Sequence, residues 1–267
     1  MTSIEVELRN VGPFSGPTTV LKLDDRLTVY RGPGKTTLCR AVAGCLNPDR
    51  NRLGTYGTLS RGMVSAGQQS GSVWVGDANW SFYDHSDDLK TPGDVRTGTP
   101  PFDIVLGYGV ERRIGTELHD FGYGQLSDFG PLFDDPVMRN RARLTSPDVW
   151  MIKEECILLE VPNFAYVKLK AALCRLLGVE QIRVGRHEMN FHFGDRILST
   201  RQLSHSEQRI VGLLCDIAQK VGHFNKPKNG LCIIDGHNVG LSTEKAHQVL
   251  DEAMVLWPEL SFLVTEY

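Results

Sequence analysis

Leu27-Thr28-Val29-Tyr30-Arg31-Gly32-Pro33-Gly34-Lys35-Thr36-Thr37 is the stretch on which the reading of the fold turns. A short apolar run enters a glycine-rich turn and leaves it on a lysine and two threonines. Polyphosphates are wrapped by backbone amides that only glycine lets approach closely, a lysine reaches the outer phosphates, and a Ser or Thr hydroxyl holds magnesium. Gly32, Gly34, Lys35, Thr36 and Thr37 supply these parts, with Thr36 as the magnesium ligand. Against the pattern G-x-x-x-x-G-K-[ST] the first glycine should fall where Val29 stands, so the loop is about three residues short. A shorter loop has fewer amides to offer and Pro33 has none, which predicts weakened affinity. Read by itself, Gly32-Pro33-Gly34 is equally a tight turn beside a solvated lysine.

The flanking sequence favours the phosphate reading. Leu38, Val42 and Cys45 recur at helical spacing after Thr36, so the turn opens a helix whose amino terminus is an anion site. Ile4–Leu8 and Thr18–Leu23 alternate as strands, with Gly12, Pro13, Gly16 and Pro17 expected in the turn between them. Ser72–Val75 and Trp80–Tyr83 predict an antiparallel hairpin beside the core, and Phe102–Leu106 a buried strand. Two helical pieces fill Pro147–Leu177, the second placing Val167, Leu169, Leu173, Leu176 and Leu177 on its apolar side. Neither reaches the length of a coiled-coil arm. Met189–Phe193 is a strand, Ser206–Val221 an amphipathic helix, Gly230–Ile234 an apolar strand ending in Asp235, Ser242–Leu256 a helix and Ser261–Thr265 a last strand. Strands alternating with helices imply a largely parallel sheet.

Three further segments stand in order downstream. Leu203-Ser204-His205-Ser206-Glu207-Gln208-Arg209 opens a helix, Asp235 closes an apolar strand, and Val239-Gly240-Leu241-Ser242 follows it. With the phosphate loop, and with Leu8–Phe14, Val105–Arg112, Leu132–Asp134 and Asp148–Trp150, this series resembles the ABC-type ATPases of the RecF, SMC and OLD branch, including stand-alone AAA-type ATPases linked to phage defence. The resemblance implies an α/β P-loop NTPase-like fold, an ABC ATPase head with a mostly parallel central sheet, an antiparallel β subdomain and a helical insertion. It implies one domain over 1–267: a nucleotide-binding lobe (1–110), a helical and loop insertion (111–190), and a lobe with the signature helix and the Walker B strand (191–267).

By the same resemblance Ser204, Ser206, Glu207 and Gln208 are the signature that meets the γ-phosphate bound by a second protomer, and Thr36 and Asp235 hold Mg2+ beside ATP. The series departs from the family pattern where hydrolysis is concerned. The glutamate expected after the Walker B aspartate is Gly236, which has no side chain to orient water. The switch histidine is absent, with Glu266 in its vicinity, and the fourth signature residue is Ser206 rather than glycine. Ser204 and Glu207 also suit an ordinary capping box, and Asp235 an ordinary turn.

Composition sets outer limits. The 267 residues are 41% hydrophobic with a net charge of -3, sufficient for a globular core and unlike a generally basic nucleic-acid binder. No apolar run has membrane-spanning length and the amino terminus lacks a secretory pattern, so a cytoplasmic protein is expected. The six cysteines form no C-x-x-C pair and read as buried free thiols. His187, His192 and His205 lack metal-ligand spacing, and Asp84–Asp88 and Asp134-Asp135 read as solvated loops. Two functions stay open. One is an ATP-binding, dimerising protein with slow or absent hydrolysis, working with an effector or nucleic-acid-processing partner. The other is a pseudo-ATPase scaffold that no longer binds nucleotide. Direct DNA contact rests on analogy and on Arg139, Arg141 and Arg143. The nucleotide reading requires Lys35 and Asp235 to converge on one cavity.

Overall fold

A computed structural model describes residues 3–46, 63–83, 95–110, 127–128, 144, 146–158, 164–223 and 229–267. Glu111, Arg112, Leu132–Asp135, Asp84–Asp88 and the three arginines at 139, 141 and 143 lie outside the described residues, as does most of the insertion's first part, 111–146.

The chain begins with an antiparallel pair, β1 (Ile4–Val11) and β2 (Phe14–Leu23). The turn is Gly12-Pro13 alone, and Gly16 and Pro17 sit inside β2 instead of in the turn. β2 is the edge strand of its sheet, where a proline's missing N–H breaks no ladder, and the Gly16 amide donates to the Asn10 side chain at 3.0 Å. Next come β3 (Leu27–Tyr30), helix α1 (Lys35–Leu46), and a hairpin of β4 (Ser70–Val75) and β5 (Ala78–Tyr83). The hairpin pairs with β1 and, through β5, with β6 (Val95–Thr97), so it is integral to a five-stranded antiparallel sheet ordered β2-β1-β4-β5-β6. That layer is larger than the single hairpin the sequence suggested.

A second five-stranded sheet is wholly parallel, ordered β3-β13-β12-β7-β8, with β7 at Ile104–Tyr108, β8 at Ser127–Asp128, β12 at Gly230–Ile234 and β13 at Leu260–Thr265. Its three central strands are buried along their whole length, the mark of a parallel sheet covered on both faces. Alternation divides the side chains between two cores. Val105, Leu231, Ile233 and Leu263 join α1 and the antiparallel sheet, while Leu106, Tyr108, Cys232, Ile234, Phe262 and Val264 face the helices of the chain's second half.

Those helices are α2 (Pro147–Leu158), α3 (Phe164–Leu177), α4 (His205–His223) and α5 (Thr243–Leu256), with a small antiparallel sheet of β9 (Gln181–Val184), β10 (Met189–Phe193) and β11 (Arg196–Ser199) beside them. Met189 and Phe191 are fully buried, so this strand is core. Val167, assigned above to the apolar side of α3, is exposed, because Tyr166, Leu169, Leu173 and Leu176 already fill the face turned to the core. Cys39, Cys45, Cys215 and Cys232 are buried, whereas Cys156 is exposed and Cys174 half-buried. Burial pushes the Cys45 thiol up to about 12, which leaves it unreactive. Among the described residues no helix is long and apolar enough to cross a membrane.

α1 packs under the antiparallel sheet at Gly44, where an added Cβ would lie 2.2 Å from Trp80. Trp80 is fully buried, its ring 4.5 Å from that of Phe82 and capped by Arg96 at 5.1 Å, so it has little room to withdraw. Helix propensity alone would make Gly44→Ala stabilising by about 1 kcal/mol. The clash outweighs that, and urea unfolding is expected to show a net destabilisation of about 1–3 kcal/mol.

Candidate functional site

Parallel topology carries the ends of β3, β7, β12 and β13 to one edge of the sheet, the usual position for a ligand in an open α/β fold. β3 delivers the Arg31–Gly34 turn and the amino terminus of α1, and β12 delivers Asp235. Thr36, on the first turn of α1, donates its hydroxyl to Asp235 Oδ2 at 2.6 Å. Asp235 is almost fully buried, and its other oxygen accepts from the Thr265 hydroxyl at 2.7 Å. The two residues read as a magnesium pair therefore touch across 199 positions of sequence. Cys39, a turn below on α1, feels the same carboxylate: burial first, then Asp235, pushes its thiol well above the ordinary range.

Tyr267 covers the pair, its phenol 2.9 Å from Thr36 Oγ1 and 3.3 Å from Asp235 Oδ1. Lys35 Nζ stands 5.0 Å from the centre of the same ring, within cation–π range. Lys35 thus lies beside Asp235 and Thr36 on one side of the molecule. Asn238 pins the tyrosine by accepting from its backbone N–H at 3.1 Å and donating to its carbonyl at 2.9 Å.

The turn itself is short and braced. Tyr30 folds back so that its hydroxyl donates to the Pro33 carbonyl at 2.8 Å. Gly34 adopts φ +71°, and an added Cβ would come within 2.5 Å of Pro13, so glycine is required both by the backbone and by the β1–β2 turn lying against it. Gly236, where the sequence resemblance would put a catalytic glutamate, is also left-handed at φ +60°, with the Tyr267 ring 3.0 Å from an added Cβ. A glutamate there would meet both backbone strain and an aromatic neighbour.

At the start of α4 Ser204 and Glu207 form a reciprocal capping box: the Ser204 N–H donates to Glu207 Oε2 at 2.7 Å and the Glu207 N–H to Ser204 Oγ at 3.3 Å. Ser206 donates its hydroxyl to the Gly240 carbonyl, Arg209 donates to the Val239 carbonyl at 2.8 Å, and Gln208 donates to the Leu203 carbonyl at 2.9 Å. The signature segment is thereby tied to the 239–242 segment of its own chain. Asp148 has a structural task, accepting from the Met189 N–H and the Thr200 hydroxyl, both at 2.8 Å.

No protein-family model and no curated protein matches the chain. Solved structures do. An SMC head domain from Thermotoga maritima superposes with a TM-score of 0.54 at 15% identity, over 100% of this chain and 89% of that one. An SMC head bound to the C-terminal winged-helix domain of ScpA gives 0.57 at 11% identity, over 99% and 89%. The fold is that of an SMC head domain. Likeness at this level of identity describes architecture, and the chemistry rests on the residues above.

Sequence reasoning placed Lys35, Thr36 and Asp235 but missed four neighbours: Thr265, Tyr267, His237 and His247. Thr265 and Tyr267 flank the end of β13, and a residue just beyond the end of a parallel strand is a site candidate by topology. The sequence carried that much once the strand was assigned. The His237 and His247 side chains lie near Glu266, whose Oε1 is 3.7 Å from His237 Nε2 and 3.3 Å from His247 Nε2. Burial alone would raise the Glu266 carboxyl; hydrogen bonds from Arg31 and His247 outweigh it and hold the group below its ordinary value.

Proposed function

We propose that this chain binds Mg-ATP at the edge formed by Lys35, Thr36 and Asp235, and that hydrolysis is slow or absent. The contact between Thr36 and Asp235 at 2.6 Å carries the proposal. A strand-end carboxylate and a helix-start hydroxyl supply the hard oxygen donors that magnesium takes, and Lys35 supplies the cation for the outer phosphates. Gly32, Gly34 and Thr37 complete the loop. The absence of a carboxylate at Gly236, with Tyr267 packed over that position, supports the slow or absent turnover. Dimerisation around nucleotide, with Ser204, Ser206, Glu207 and Gln208 presented to the partner protomer, follows from the resemblance. So do the RecF/OLD-type assignment, action with a defence effector or nucleic-acid-processing partner, and a single domain with the three lobes given above. One structural neighbour is an SMC head bound to a winged-helix domain. A small folded protein module of that kind is the class of partner we favour.

The pseudo-ATPase reading has its own support. Tyr267 already engages Thr36, Asp235 and Lys35, so nucleotide has to displace a ring that satisfies all three. A thermal melt with and without Mg-ATP separates the two. Binding confined to the native state raises stability by about 2.7 kcal/mol at a hundredfold excess over Kd. An unchanged melting temperature at millimolar Mg-ATP, equal in wild type and Lys35→Ala, would establish the scaffold. Gly236→Glu is expected to leave phosphate release at the wild-type level, because the left-handed backbone and Tyr267 keep the new carboxylate from a productive position.

A further inference from the structure

We propose that His237, His247 and Glu266 form a binding site for a transition-metal dication of the zinc class, distinct from the magnesium pair. Three elements converge there: the loop after β12 brings His237, the first turns of α5 bring His247, and the end of β13 brings Glu266. One ligand atom from each falls within a sphere of mutual distances under 4.8 Å, and among the described residues no other His, Cys, Asp or Glu trio does so.

The distances fit a metal. Zinc bonds of 2.0–2.2 Å in tetrahedral array put neighbouring donor atoms about 3.3–3.6 Å apart. Glu266 Oε1 lies 3.3 Å from His247 Nε2 and 3.7 Å from His237 Nε2. The imidazoles stack at 6.2 Å with planes 17° apart, so both rings present an edge to the same oxygen.

Proton placement points the same way. His237 Nδ1 is 3.2 Å from the Thr265 carbonyl, an acceptor only, so Nδ1 donates and in the neutral ring Nε2 carries the lone pair. A ligating histidine that donates its other N–H to a backbone carbonyl is the usual supporting arrangement in metal sites. Glu266 Oε2 is taken by Arg31 at 2.6 Å, which orients the carboxylate and leaves Oε1 toward the two rings. A dication placed among the three atoms would meet Nε2 of His237, Nε2 of His247 and Oε1 of Glu266 together. Two imidazoles and one carboxylate are a borderline donor set that selects zinc-class ions over magnesium and leaves a coordination position open. Occupancy would also brace the end of β13, one residue from the tyrosine that covers Lys35.

The test uses the whole chain, stripped with chelator and titrated with Co2+ and then Zn2+ in the absence of nucleotide. One equivalent of Co2+ is expected to give the visible bands of a four-coordinate ion without thiolate charge-transfer absorption. Zn2+ should displace it and excess Mg2+ should not. His247 is half-exposed at 51%, so His247→Ala should fold and melt as wild type when metal-free, yet bind Zn2+ on the order of 100-fold more weakly or worse. Glu266→Gln is a second variant with the same expectation. Undiminished Zn2+ affinity in both variants, a thiolate band that moves the site to a cysteine, or no stoichiometric binding by wild type would each overturn the assignment. None of those results bears on the Thr36–Asp235 site.

Discussion

Asp216→Ala is expected to destabilise the protein by about 3–5 kcal/mol, read from urea unfolding at neutral pH. Asp216 lies on α4, fully buried, 2.5 Å from the Nζ of Lys220 one turn on, which is itself 5% exposed. The Tyr108 hydroxyl at the end of β7 donates to the same carboxylate at 2.9 Å, and the lysine sits 5.1 Å from the centre of the Tyr108 ring. Removing the carboxylate strips a buried ammonium of its counter-charge, which costs far more than the net value of the intact pair. With total stability of about 5–15 kcal/mol, a loss of this size approaches global unfolding. Replacing both ends, Asp216→Leu with Lys220→Met, is expected to return most of it, because well-packed apolar groups avoid desolvating two charges. If the double variant is as unstable as the single one, the damage comes from packing rather than from the unbalanced charge.

The second large effect concerns Asp235, and two substitutions separate its roles. Asp235→Ala removes the acceptor of the Thr36 and Thr265 hydroxyls, and leaving the fully buried Thr265 donor unmet costs about 1–3 kcal/mol even without ligand. Asp235→Asn keeps an acceptor oxygen and should retain more of the ligand-free stability. If the magnesium reading holds, it nevertheless loses Mg-ATP affinity on the order of 10–100-fold, because the neutral amide is a poor partner for a hard dication. Titration of nucleotide with and without magnesium checks this: the wild type should need the metal and Asp235→Asn should be indifferent to it. Equal magnesium dependence in the two proteins would exclude Asp235 from holding the ion.

Much of this was legible in the chain because it follows from local chemistry. The apolar run of Gly230–Ile234 ending in Asp235, the helix opening at Lys35 and the cap at Ser204 depend on spacing and side-chain type, and the elements form where those patterns put them. Less legible was the place of Gly16 and Pro17. Their turn signal was overridden by a sheet edge that tolerates proline, and edge status is set by strand order. Val167 followed helical spacing too, but the packed face of α3 is chosen by what lies against it.

Sequence alone determined that a strand, a glycine turn and a helix would carry Lys35 and Thr36 together, and that the position after Asp235 has no carboxylate. Tertiary structure alone decided what surrounds them. Tyr267 over Thr36 and Asp235, Thr265 on the aspartate, and His237 and His247 around Glu266 come from separate elements that meet at the carboxyl edge of the parallel sheet. Such meetings are set by strand order and register, which no local window of sequence encodes.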